Sequence, residues 1–475
     1  MPHHGLRALF ACALAVPPSF ALQAAPAAAP AKPGPWRLGE QVPLPEWLKI
    51  TGTQRTRFEY LDGQFRADKP PKFYDDSDHL FALRTTLRAD AKLESFVATA
   101  EVMDSRQYEA DSGSALDTTT VNAAEFVQAF VGYEGKGVLR EGDKTTAIVG
   151  RHTMDLGNRR LVARNDFRNT TNNFDGVNLL WESKSKDSLR AFYTLPVQRL
   201  PSDLDSLLDN DVELDESNRH VQFWGLYGTL AELFPKVQTE LYWLELDERD
   251  SAGLATADRE LTTLGLRSVR KPAKGELDFE LESAWQFGSS HSDTTSTTEL
   301  DHKARFHHLE AGYTFDAAWK PRLALQYDVA TGDEDPDQND VENNRFDTLF
   351  GARRWEFGPT GIFGAIARAN VVSPGWRVTA NPTDAVDLMF AHRLVQLESD
   401  KDTWTPGGVK DASGASGNDV GQMVEFRLRW NVLPGNFSID TGVAHLFAGD
   451  FLDSNPNATG NGDTNYVYIQ TLLSF

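Results

Sequence analysis

Cysteine is all but missing from this 475-residue chain, with Cys12 the only one. It lies inside an apolar stretch from Ala8 to Val16, preceded by Arg7 and followed by small residues around Ser19, Ala21 and Ala24. That order reads as a secretory signal peptide cut near residue 24. A lipidation box at Leu9-Phe10-Ala11-Cys12 is disfavoured, because the apolar stretch runs on past the cysteine. The mature chain then carries no thiol, which excludes disulfides and thiolate metal sites. Beyond the signal there is no run of eighteen apolar residues, and mean hydropathy is −0.43, so membrane-spanning helices are excluded. Positive charge is scarce: 47 Lys and Arg stand against 69 Asp and Glu, a net charge of −22. Such an acidic surface excludes nucleic acid as a partner. No domain linker is evident after Pro45. The chain divides into a signal peptide (1–24), an Ala/Pro-rich periplasmic segment (25–45) and one domain (46–475).

What is present throughout is alternation with a period of two. Phe81, Leu83, Leu87, Ala89, Ala91 and Leu93 alternate with Ala82, Arg84, Thr86, Arg88, Asp90 and Lys92, so an extended chain has one dry face and one wet face. The pattern recurs in Leu277 to Phe287 and in Val424 to Val432. It predicts strands at 47–61, 79–93, 96–107, 121–134, 145–155, 174–183, 188–199, 219–230, 236–247, 259–270, 275–288, 304–315, 320–330, 364–374, 383–398, 422–433, 436–447 and 464–475. The connections alternate too. Short turns such as Glu94-Ser95 and Pro434-Gly435 take turns with long loops such as 62–78, 200–218 and 331–363.

A soluble β-sandwich also alternates along its strands. The signal peptide, the loop-length parity and a last strand of Val467, Ile469, Leu473 and terminal Phe475 favour the membrane instead. So do Trp47, Trp181, Trp319 and Tyr313 near strand ends, where an aromatic girdle belongs. The expected fold is all-β: a transmembrane antiparallel up-and-down β-barrel of about 18 strands, both termini periplasmic, in the outer membrane of a Gram-negative bacterium, with a polar, charged lumen.

Residues 150–181 contain Gly150-Arg151, Leu156-Gly157, Arg160-Leu161-Val162 and Phe174-Asp175-Gly176, and Ala330-Thr331-Gly332-Asp333 and Phe346-Asp347-Thr348-Leu349-Phe350 follow later. In this series the chain resembles the alginate-export family of outer-membrane barrels over nearly all of residues 45–475. The resemblance implies a passive channel for an anionic exopolysaccharide. His152 stands where the family has glutamine, and Asn172-Asn173 where an arginine is expected, which weakens the case for a polyuronate in particular. The alternative is a porin for diffusion of small hydrophilic solutes. No energy-coupling motif is evident, so transport would follow a gradient or synthesis behind it. Periplasmic export partners would belong to the export reading.

Arg159, Arg160, Arg164 and Arg168 make four arginines in ten residues of an acidic protein, and guanidinium forks suit carboxylates or sulfates on sugars. A loop folded into the pore would put them, with Arg151, on the substrate path. The plainer reading pairs them with acidic loops or lipopolysaccharide phosphates. On the lumen face, Arg55, Arg57, Arg84, Arg88, Lys92, Arg427 and Arg429 form a mostly basic wall, with Asp90 and Glu425 expected to balance neighbouring charges. Asp278, Glu280 and Glu282 lie on strand eleven, opposite strand two in a ring of eighteen, which predicts a transverse field across the lumen. Carboxylates crowd 200–218 and 333–337, where Ca²⁺ could bind, but no EF-hand spacing is present and a solvated surface is the simpler reading. Ser289-Ser290-His291 and His307-His308 supply hydrolase residue types without a nucleophile elbow, so no catalytic residue is assigned.

Overall fold

The computed structural model describes residues 34–69, 72–251, 253–334, 341–354, 356–458 and 462–475. The expected signal peptide and the first part of the Ala/Pro-rich segment lie outside them. Eighteen strands form the wall: β1 (Leu48–Asp62), β2 (Ser77–Leu93), β3 (Phe96–Tyr108), β4 (Asn122–Lys136), β5 (Lys144–His152), β6 (Phe174–Glu182), β7 (Ser188–Gln198), β8 (Val221–Phe234) and β9 (Val237–Glu248). The second half comprises β10 (Glu260–Arg270), β11 (Leu277–Ser290), β12 (Leu300–Thr314), β13 (Arg322–Ala330), β14 (Val371–Thr383), β15 (Val386–Gln396), β16 (Asp419–Leu433), β17 (Phe437–Ala448) and β18 (Thr464–Ser474). Each pairs antiparallel with its sequence neighbours, and β18 returns to β1 from Thr53↔Ser474 to Asp62↔Asn465. Closure leaves no unpaired strand edge, the condition for β-structure in lipid. No helix among the described residues is long and apolar enough to cross a membrane.

Every expected strand has its counterpart, and alternation sets which side chains face out. Leu87, Val131, Val149, Leu241, Leu325 and Ile469 are exposed on the outer face, where hydrocarbon would cover them. Trp47, Trp181, Trp319 and Tyr313 all fall at the end of the barrel that carries the short turns. There Trp36, on the segment leading into β1, packs at a tilt beside Phe475 and exchanges hydrogen bonds with Asn436.

Two expectations are corrected. The fourteenth strand was expected at 364–374 but runs from Val371, because residues 356–370 are buried inside the barrel as part of the connection before it. The lumen, expected to be polar, holds an aromatic core at the long-loop end: Phe174, Phe223, Phe306, Phe346, Phe363 and Tyr466 are each at most 2 % exposed. Loops folded inward bring apolar side chains that must be buried against the inner wall.

Candidate functional site: the inserted loops and their arginines

The connection 153–173, between β5 and β6, and the described residues 341–354 and 356–370 of the connection between β13 and β14, both enter the lumen and meet there. Phe350 N–H donates to Leu161 C=O (2.9 Å), Ala163 N–H to Phe350 C=O (3.1 Å) and Ala352 N–H to Arg159 C=O (2.8 Å). Gly351 allows this approach, since a Cβ there would lie 1.8 Å from the Arg160 carbonyl oxygen. On the far side of the second loop, Gly358 and Gly361 have φ of +79° and +73°, and a Cβ on Gly361 would strike the Glu59 carboxylate. Ile362 N–H instead donates to Glu59 Oε2 at 3.1 Å.

The first loop bridges the lumen. At one end Arg55 and Arg57, each 1 % exposed, donate to loop carbonyls: Arg55 to Asp166 (2.7 Å) and Arg168 (2.9 Å), Arg57 to Phe167 (2.5 Å). Arg84 reaches the Arg168 carbonyl at 3.1 Å. At the other end Arg160 pairs with Glu280 and Glu282 of β11, both at 2.5 Å, and with Glu356 of the second loop. Burial opposes the charge on Arg160, but these three carboxylates hold its pKa well above the ordinary value. Glu356, between Arg160 and Arg368, is held well below the usual carboxylate range despite its own burial.

These contacts correct the expected transverse field. The strand charges are largely cancelled in place: Arg57 by Glu59 (2.7 Å), Arg88 by Asp90 (2.8 Å), Lys92 by Glu134, Arg427 and Arg429 by Asp440 (2.7 and 3.2 Å), Asp278 by Arg322, and Glu425 by Arg354 (2.7 Å). Low dielectric enforces this, because an unpaired buried charge costs far more than a paired one. Arg151 belongs to β5 rather than to the loop, and is held by Glu125 and Asp175, both at 2.8 Å. In the loop itself, Arg159 pairs with Asp166 (2.9 Å) and Arg164 with Glu101 of β3 (2.5 Å).

Arg168 differs from its loop neighbours. It lines a cavity of about 490 Å³ together with Arg199, Arg345 and Arg353. Arg345 is paired with Asp402 (2.8 Å). Among the described residues, Arg168, Arg199 and Arg353 have no carboxylate in direct ion-pair contact, with Asp117 the acidic group that acts on all three from further off, and they donate only to Asn172 and to carbonyls such as Thr118 and Gly364. Burial, with Arg199 and Arg353 nearby, pulls the Arg168 pKa well below its ordinary value, and burial next to Arg66 pushes Arg353 down to about 10. Asn173, 2 % exposed, lines the same cavity with its side-chain N and O both lacking hydrogen-bond partners among the described residues. The cavity thus offers cationic and amide groups that an anion could satisfy.

Of the arginines in this cavity, the sequence reading found only Arg168. Arg199, Arg345 and Arg353 fall in or beside segments read as plain external loops. One signal was available: residues 357–369 (FGPTGIFGAIARA) are too apolar for a solvated loop.

A search of curated proteins finds no match. Several outer-membrane channel structures share the fold. Pseudomonas aeruginosa OpdO has a TM-score of 0.55 at 14% identity, covering 90% of this chain and 97% of that one. P. aeruginosa OccK8 (OprE) and Acinetobacter baumannii OccAB2 also score 0.55, at 11% and 12% identity, each covering 90% of this chain and 98% of its own. The barrel, its neighbours and the family model together make the chain an outer-membrane channel. The model for alginate export matches residues 46–464, and the chain belongs to that family.

Proposed function

We propose that the channel conducts an anionic exopolysaccharide, alginate-like in bearing a carboxylate on its sugars, and that the polymer contacts the cavity of Arg168, Arg199 and Arg353. The observation that carries this reading is the set of three half-buried guanidinium groups with no carboxylate of their own. A carboxylate arriving from solution would supply the missing counter-charge and the fork-shaped acceptor that arginine prefers. Arg55, Arg57, Arg84, Arg160 and Arg164 serve the path indirectly, by holding the inserted loop in place. Arg159, half-buried against the exposed Asp166, is the loop arginine best placed to exchange its partner for substrate. Both termini would face the periplasm, with the long loops outside.

A second reading, a porin for small hydrophilic solutes, is favoured by one feature: two loops meet inside the lumen, narrowing the route. Planar-bilayer conductance separates the two. Strong anion selectivity with block by micromolar alginate supports the polymer. Absence of block supports the small solutes, and cation selectivity without block refutes the polymer.

A further inference from the structure

Next to the arginine cavity lies a second one of about 460 Å³. The two share Pro196, Val197, Arg345, Phe346, Asp347 and Phe350 as lining, so the loop segment 345–350 forms a common wall. The charges lining this second cavity are compensated. Arg259 holds Glu248 (2.5 Å) and Asp347 (2.6 Å), and Arg345 holds Asp402 (2.8 Å). What remains is polar, beside aromatic rings: Ser290 at the end of β11, His302 near the start of β12, His291 between them, and Asn343, with Phe346 and Phe350.

Hydrogen bonds hold this group in place. Asn343 Nδ2 donates to Ser290 Oγ at 3.0 Å, and Ser290 Oγ lies 3.2 Å from His302 Nδ1. After accepting from Asn343 the serine hydroxyl keeps its own proton and one further acceptor site, so it can pair with Nδ1 in either imidazole tautomer. Ser290 and His302 are 2 % and 3 % exposed, yet His302 Nε2 is buried without a hydrogen-bond partner among the described residues, as is His291 Nδ1. Buried polar atoms without partners are rare, and each carries a cost that a fitting ligand would remove. Unpaired polar groups beside aromatic faces, with no net charge, suit the hydroxyls and ring of a sugar rather than its carboxylate.

We propose that this cavity is an uncharged sugar subsite, which binds the hydroxyls of one residue while the arginine cavity holds the carboxylate of its neighbour in the same chain. The pair then recognises a uronate oligomer and not merely an anion; this rests on the polyuronate reading above. Neither Ser290 nor His302 acts chemically in it. Ser290 orients His302, and His302 Nε2 shares a hydrogen bond with a sugar hydroxyl, which can donate or accept.

The test is calorimetry on the full-length protein in detergent micelles, with three probes: mannuronate monomer, its linear trimer and neutral mannotriose. In the wild type the uronate trimer should bind at least tenfold more tightly than the monomer. His302→Phe and Ser290→Ala should each remove most of that gain while leaving monomer affinity unchanged, and the unchanged monomer shows that the shared wall has kept its shape. Equal affinity for monomer and trimer, or unaltered trimer binding in both variants, overturns the second subsite. Equal losses for monomer and trimer overturn it too, because the effect would then pass through segment 345–350. If only mannotriose binds and His302→Phe abolishes that, the sugar subsite stands and the polyuronate reading falls. If no probe binds the wild type, both fall.

Discussion

Arg160 and Arg168 are eight residues apart on one inserted loop, yet they live under opposite conditions. Arg160 is 1 % exposed and surrounded by Glu280, Glu282 and Glu356. Arg168 is half-buried among other arginines, with Asn172 its side-chain acceptor. The same side chain is therefore an anchor in one place and an unspent charge in the other. The lesson concerns what charge in a lumen means. An arginine taken up by the protein's own carboxylates or loop carbonyls holds structure, whereas one that lines a cavity with no carboxylate in contact is available to a ligand.

The sharpest way to break this comparison is at the anchor. Arg160→Ala leaves Glu282 buried without a cation and leaves Glu280 and Glu356 with one arginine each, Arg267 and Arg368, and should destabilise the barrel by about 3–5 kcal/mol. Urea unfolding in micelles would measure it, and a loss under 1 kcal/mol would refute the anchoring role. At the other pole, replacing Arg168, Arg199 and Arg353 together with serine should abolish anion preference in bilayer reversal potentials. Stability should hold or rise, since mutual repulsion is relieved; retained anion selectivity would move the substrate path elsewhere.

A subtler probe is Asp215, in the connection between β7 and β8, near the arginine cavity through Arg199. Burial, aided by Glu125, pushes its pKa up to about 6 from an ordinary 3.8, against hydrogen bonds from Leu200 N–H and Asn122. The folded state thus keeps a proton that the unfolded state gives up between pH 4 and 6. This contribution stabilises the fold at low pH and is lost as pH rises through about 6. Asp215→Asn should flatten that segment of the stability–pH curve, and an unchanged slope would contradict the shift. The smallest effect is expected at Arg429. It is 38% exposed and shares Asp440 with the better-buried Arg427, so Arg429→Ala should cost under about 0.5 kcal/mol.

Much of the barrel was legible in the chain because lipid enforces a rule that sequence displays. A strand with hydrocarbon outside must alternate, and a closed sheet must turn back after every strand. The seventeen connections therefore announce themselves by length and composition. The same logic located the inward faces of β1, β2, β11 and β16, where Arg55, Arg84, Glu280 and Arg427 do point inward. The site was less legible. Arg168 could be singled out by local charge density, but its company could not. Arg199 and Arg353 reach the same cavity from connections 150 residues apart, and no period links them. The displaced start of β14 has the same origin. Residues 356–370 are apolar enough to pass for wall, and only packing against Glu59 and the first loop shows that they belong inside.

Alternation, loop parity and the family series were thus enough to determine an eighteen-strand outer-membrane barrel, because each follows from local backbone periodicity. Tertiary structure alone decided which charges are spent. Whether an arginine finds a carboxylate depends on which strands and loops meet across the lumen, and that pairing is set by folding two distant connections into one space.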